Sequence, residues 1–199
     1  MVRKTRYPSY DVMEQKFEWD GHTRHIVESR LHTSGKHAFL SPVEAETLRA
    51  LCALLVDDER PDVLQYIIDH IDHTLHTGTE SERKDGSPPI ADLMRKGLET
   101  LDEACQHVHT DRFFHLELEK RKQWIRDIQQ EEAPPAPLWQ NVPQKAFFNK
   151  LLSLTVEAYA SHPAVWSDIG YAGPAYPRGY IRMHPGQLDS WEPREEHTQ

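Results

Sequence analysis

Apolar residues along this chain recur three and four positions apart, the spacing that places a stripe on one face of an α-helix. Ser41-Pro42-Val43-Glu44 reads as a capping box with proline at the first helical position. Leu48, Leu51, Cys52 and Leu55 follow on one face until Asp57-Asp58-Glu59 interrupts them. Pro61 opens a second helix with the stripe Leu64, Ile67, Ile68, Ile71 and Leu75, closed by Gly78. Ser87-Pro88-Pro89 starts a third, with Ile90, Leu93, Met94, Leu98, Leu101 and Cys105 inward. After a break at Thr110-Asp111, a charged helix from Glu117 to Gln130 turns Leu118, Trp124, Ile125 and Ile128 inward. The last helix, Gln144 to Ala160, is apolar nearly all round, the pattern of an element at the centre of a bundle or against a partner. An earlier helix starts at Asp20-Gly21 and runs through Ile26, Val27 and Leu31 to Ser34-Gly35.

No strand-length alternating run and no internal repeat occurs, so the pattern predicts an all-α fold. Its architecture is an irregular bundle of five or six helices. Residues 77–87 form a polar loop, and Glu131 to Pro137 a stiff, extended, proline-rich connector. From Ser161 onward, Pro163, Pro174 and Pro177 alternate with Gly170, Gly173 and Gly179. Proline removes donors and glycine frees the backbone, so residues 161–199 are expected to form a long non-helical Gly/Pro/aromatic arm. The chain is read as one domain of 199 residues: an N-terminal extension (1–38), a helical bundle (39–160) and a C-terminal arm (161–199).

A net charge of −9 argues against a general nucleic-acid or anionic-membrane surface, which needs lysine and arginine in excess. Hydrophobic residues make up 38% of the chain, so the core is lean and much of the surface is solvated or covered by a partner. Cys52 and Cys105 are the only cysteines, both within predicted helices. They read as buried thiols, with a disulfide or redox pair as the other reading. Arg3, Lys4 and Arg6 are not followed by an apolar stretch, and no window is apolar enough to span a membrane. A soluble, cytoplasmic protein is expected, periplasmic if a partner carries the export signal.

Among 13 histidines, those of Asp69-His70-Ile71-Asp72-His73-Thr74-Leu75-His76 come nearest to a metal-site pattern. Asp69, His73 and His76 share the arc opposite the apolar stripe, where they read either as a polar surface or as ligands for Zn²⁺ or Ni²⁺. His107 and His109 lack a shared helical face, and His22 with His25 supplies only two ligands. Glu-x-x-His, His-Glu-x-x-His, Gly-x-Ser-x-Gly, Cys-x-x-Cys and Gly-rich phosphate loops are all missing. No catalytic or cofactor-binding residue is therefore assigned. The arm remains. Its aromatics either fill grooves in the chain's own bundle or dock on a second protein, with Arg178 and Arg182 flanking them as interface arginines often do.

His162-Pro163-Ala164-Val165-Trp166-Ser167-Asp168-Ile169-Gly170-Tyr171-Ala172-Gly173-Pro174-Ala175-Tyr176-Pro177-Arg178-Gly179-Tyr180, with Trp191-Glu192 beyond, resembles the gluconate 2-dehydrogenase subunit 3 family. Phe39 to Ala50 resembles that family's helix start, Gly97-Leu98 to Leu101-Asp102 its central element, and Phe147-Phe148 its last helix. The likeness spans residues 39–192. The resemblance implies a noncatalytic small subunit that stabilises and helps mature a large FAD-containing subunit of the glucose-methanol-choline class. It also implies FAD in that partner and none here, a sugar or glycoside dehydrogenase activity in the complex, and a cytochrome c as a common electron acceptor. Many members carry a twin-arginine signal, which residues 1–16 do not show. The implied partner surface comprises Trp166, Ile169, Gly170, Tyr171, Gly173, Pro174, Tyr176, Pro177, Arg178 and Tyr180. The alternatives are a stand-alone metal-binding protein using Asp69, His73 and His76, and a scaffold with no redox partner.

Overall fold

A computed structural model describes residues 5–78, 89–182 and 184–196. Among these residues there are seven α-helices and no strand: α1 (Gly21–Ser29), α2 (Pro42–Val56), α3 (Pro61–Thr77), α4 (Ile90–His109), α5 (Leu118–Gln130), α6 (Gln144–Ser161) and α7 (Pro163–Ile169). Short 3-10 segments occupy Val12–Glu18, Phe113–His115 and Ala136–Asn141. The all-α expectation holds. Ser87, Pro88 and most of the polar loop after Thr77 lie outside the described residues.

The chain groups into two compact units, one of residues 1–33 with 159–199, the other of residues 34–158. In the second unit α2 packs against α3, α4 and the 113–115 segment. Leu48, Leu51, Cys52, Ile67, Ile68, Ile71, Met94, Leu98, Leu101, Phe113 and Phe147 are fully buried. The capping box forms: Ser41 Oγ accepts from the Glu44 N–H, and Glu44 Oε2 accepts from the Ser41 N–H at 2.7 Å. Asp72, on the buried side of α3, accepts from the N–H groups of Ala38, Phe39 and Leu40 at 2.8, 3.0 and 2.8 Å. One carboxylate thus ties down the segment that leads into α2. Gly97 lets α4 approach α6 closely, since a Cβ there would stand 2.2 Å from the Phe147 ring.

In the first unit the apolar cluster is Val12, Trp19, Val27 and Trp166, with Tyr10 and Met13 packed against it. Asp20 caps α1 through the N–H groups of His22 and Thr23. That helix ends at Ser29, short of the expected Ser34-Gly35, and buries only Val27 of its apolar residues while Ile26 and Leu31 stay exposed. Three further expectations need correction. The connector is not extended throughout, because a 3-10 turn begins at Ala136 and buries Trp139. α6 is apolar by composition but buries one face and leaves Val156 exposed. The arm begins as a helix: Pro163 sits at the first helical position, where its missing N–H would have had no partner, and no glycine intervenes before Gly170. Counting Gly and Pro over the whole stretch overlooked their positions, and α7 raises the helix number above the expected five or six.

Candidate partner interface

α7 sets the geometry of the arm. His162 caps it, its Nδ1 accepting from the Ala164 N–H at 3.2 Å, and Gly170 closes it with a left-handed φ of 71°. Within α7, Ser167 Oγ accepts from the Val12 N–H at 3.1 Å and donates to the Pro163 carbonyl. Thr5 Oγ1 donates to the Asp168 carbonyl at 2.6 Å. The N-terminal segment is thereby held on α7 by hydrogen bonds that span more than 150 residues of sequence.

Trp166 is the anchor. It is 6% exposed, donates from Nε1 to the Ala160 carbonyl at 2.7 Å, lies 5.3 Å from the Arg30 guanidinium and meets Tyr171 edge-on. Two glycines serve the same packing. A Cβ on Gly170 would stand 2.4 Å from the Tyr7 ring, and one on Gly173 would stand 2.5 Å from Trp19. Both have positive φ, so shape and backbone conformation each require glycine.

Beyond Gly173 the arm is held by charge-assisted contacts. Arg178 donates to the Ala172 carbonyl at 2.5 Å and stacks over Trp191 at 5.0 Å. Burial pushes the neighbouring Tyr10 phenol up to about 12, with the Arg178 charge pulling the other way. Buried Asp189 accepts from the Ile181 N–H, while Glu192 accepts from the Asp189 N–H and from Arg182 at 2.7 and 2.6 Å. Glu196 accepts from Ser9, and its N–H donates to the Arg6 carbonyl at 2.8 Å.

The ten residues expected at a partner surface therefore separate. Trp166 and Gly173 are buried in the chain's own core, Gly170 is packed under Tyr7, and Arg178 is half-buried against Ala172 and Trp191. Pro174 is half-buried, whereas Tyr171 and Pro177 are exposed. Ile169, Tyr176 and Tyr180 are open to solvent at 61%, 70% and 52%. Ile181, at 70%, belongs with them and was not anticipated, because it carries no motif and lies one residue past the quoted stretch. Asp189 was also missed, and Glu192 was quoted only as part of the motif, since an acid that caps a loop has no periodic signature.

The arrangement suits protein recognition. Tyrosine and isoleucine side chains displayed on an irregular but internally anchored backbone lose little conformational entropy on docking.

The candidate metal ligands do not converge. Asp69 accepts from the Ser34 and Gly35 N–H groups and from Gln65, and lies 3.6 Å from His37, while His73 and His76 stand exposed. Among the described residues no three His, Cys, Asp or Glu side chains are placed to share a metal ion. Cys52 and Cys105 are buried and unpaired with each other, and burial pushes both thiols up to about 12. Among the described residues no helix is long and apolar enough to cross a membrane.

No curated protein and no solved structure gives a significant match to this chain. Over residues 42–173, more than half of its length and including α7 and the start of the arm, the chain matches the family described as Gluconate 2-dehydrogenase subunit 3, and it belongs to that family of dehydrogenase subunits.

Proposed function

We propose that this chain is the noncatalytic small subunit of a heteromeric FAD-dependent sugar or glycoside dehydrogenase. It stabilises the large flavoprotein subunit and assists its maturation. The observation that carries this reading is the row of open apolar side chains, Ile169, Tyr176, Tyr180 and Ile181, on a segment anchored by its own core, in a chain whose family is named for a dehydrogenase subunit. Substrate oxidation would take place in the partner, where a bound flavin accepts hydride from the substrate carbinol carbon. A cytochrome c is the proposed onward acceptor. The role of this chain is binding energy, supplied by aromatic and aliphatic anchors that lose their exposed area on assembly.

Co-expression tests it. The large flavoprotein produced with this chain is expected to be more soluble, more fully loaded with FAD and more active than the same protein produced alone. Equal yield, flavin content and activity in both preparations would refute the proposal. Tyr176→Ala with Ile181→Ala is expected to weaken the complex by at least about tenfold, as loss of exposed anchors does.

A further inference from the structure

The second unit holds a groove of about 320 Å³ between the first turns of α2 and the length of α4. Glu44 and Thr47 line it from α2; Arg95, Glu99, Asp102 and Glu103 line it from α4. Three acceptor atoms in these walls are buried and have no hydrogen-bond partner: Glu44 Oε1, Thr47 Oγ1 and Asp102 Oδ1. The Glu44 and Asp102 side chains are 7% and 12% exposed, and Thr47 is 0% exposed. A buried acceptor without a donor is destabilising, so such a set is ready to take a donor that the chain itself does not supply.

The charge around it is mainly negative. Four carboxylates meet two guanidinium groups, Arg95 and Arg112: Arg95 stacks on Phe39 at 4.0 Å and donates to the Phe39 carbonyl, with its Nη1 4.0 Å from Glu44 Oε1. Arg112 and Gln106 both bond Asp102 Oδ2, so Oδ1 stays open. Glu99 and Glu103 are one helical turn apart, a like-charge pair that weakens an isolated helix. A bound cation would reverse that repulsion.

We propose that this groove is a binding site for a cationic nitrogen donor, an alkylguanidinium or alkylammonium group, held by Glu44, Thr47 and Asp102 and screened by Glu99 and Glu103. A planar guanidinium, with five N–H donors in a fixed fork, matches acceptors spread over two helices. The group comes either from a free amine or from a basic side chain on another polypeptide. The site shares no residue with the arm that carries the dehydrogenase-subunit reading, because it is built entirely within residues 34–158.

The test is an NMR titration of the isotopically labelled full chain with agmatine and with an end-blocked tripeptide carrying a central arginine. An uncharged alkylurea and matched NaCl serve as controls. Saturable shifts confined to residues 41–47 and 95–106 are expected for the cations only. Glu44→Gln keeps the capping box, which accepts glutamine, yet should weaken binding by at least about tenfold. Thr47→Val should weaken binding while raising the melting temperature of the ligand-free chain, because it removes a buried hydroxyl that has no partner. A merely structural threonine would not give that opposed pair of effects. Tighter binding of the tripeptide identifies a basic side chain as the ligand; tighter binding of agmatine identifies a free amine. No saturable shift, equal shifts with the alkylurea, or unchanged affinity in both variants overturns the proposal.

Discussion

Trp166→Ala separates the two roles combined in the C-terminal arm. Trp166 is 6% exposed and sits in one cluster with Val12, Trp19 and Val27. Truncating a buried tryptophan to alanine removes about 3–5 kcal/mol. Loss of the indole N–H leaves the Ala160 carbonyl without its 2.7 Å donor, about 1 kcal/mol more. The Arg30 contact at 5.3 Å contributes about 0.5–1 kcal/mol. These terms overlap, so the expected loss is about 4 kcal/mol, or roughly a thousandfold in local opening. The assay is native-state hydrogen exchange read on peptides covering residues 12–19 and 21–29. Trp166→Phe keeps most of the apolar area and loses the N–H, so it should cost only about 1–2 kcal/mol. Tyr176→Ala removes an exposed ring and should change protection by no more than about 0.5 kcal/mol. A loss of protection below about tenfold in Trp166→Ala, or an equal loss in Tyr176→Ala, would refute the assignment of Trp166 to the core and Tyr176 to the surface.

Gly97→Ala gains about 1 kcal/mol of helix propensity. It also forces a Cβ to within 2.2 Å of the fully buried Phe147 ring, and overpacking of that kind costs about 1–3 kcal/mol or more, so the urea midpoint should fall. A raised midpoint would show that the ring has room to move. Asp72→Ala leaves three backbone N–H groups without their acceptor and should cost at least about 3 kcal/mol in thermal unfolding, with Asp72→Asn intermediate. Cys52 and Cys105, both pushed up to about 12, should resist an aromatic disulfide reagent at neutral pH until the chain is unfolded. The folded state keeps protons that the unfolded thiols release near their ordinary value of 9.0. Ionisation of the thiols should therefore leave stability unaffected below pH 9 and lower it as the pH rises toward 12. A flat alkaline profile in calorimetry would contradict the burial of both thiols.

Local rules carried far into the helical core. Ser41, Pro42 and Glu44 specify the start of α2 because the cap bonds are made within four residues. Gly78 specifies the end of α3 because the left-handed turn there suits glycine best. The same logic, applied position by position, would have recovered α7: Pro163 at the first position and Gly170 just past the end are helix punctuation. Asp72 was visible only as one acid in a histidine-rich run. Its role depends on residues 38–40, which lie more than 30 positions away in sequence.

The sequence by itself determined an all-α chain, the places where α2 and α3 begin and end, and a likeness to one family of dehydrogenase subunits. These follow from short-range hydrogen bonding, side-chain periodicity and local motifs, which a linear reading contains. Only the tertiary structure decided which arm residues face inward. Trp166 and Tyr176 are both aromatics in one Gly/Pro-punctuated stretch, yet one packs with Val12, Trp19 and Val27 while the other stays open. That difference is set by residues 12–27 meeting α7 across more than a hundred positions, an encounter that no pattern within the arm encodes. The groove beside Glu44, Thr47 and Asp102 has the same origin, because Asp102, more than fifty positions later in sequence, shares one concave surface with Glu44 and Thr47 only once α2 lies against α4.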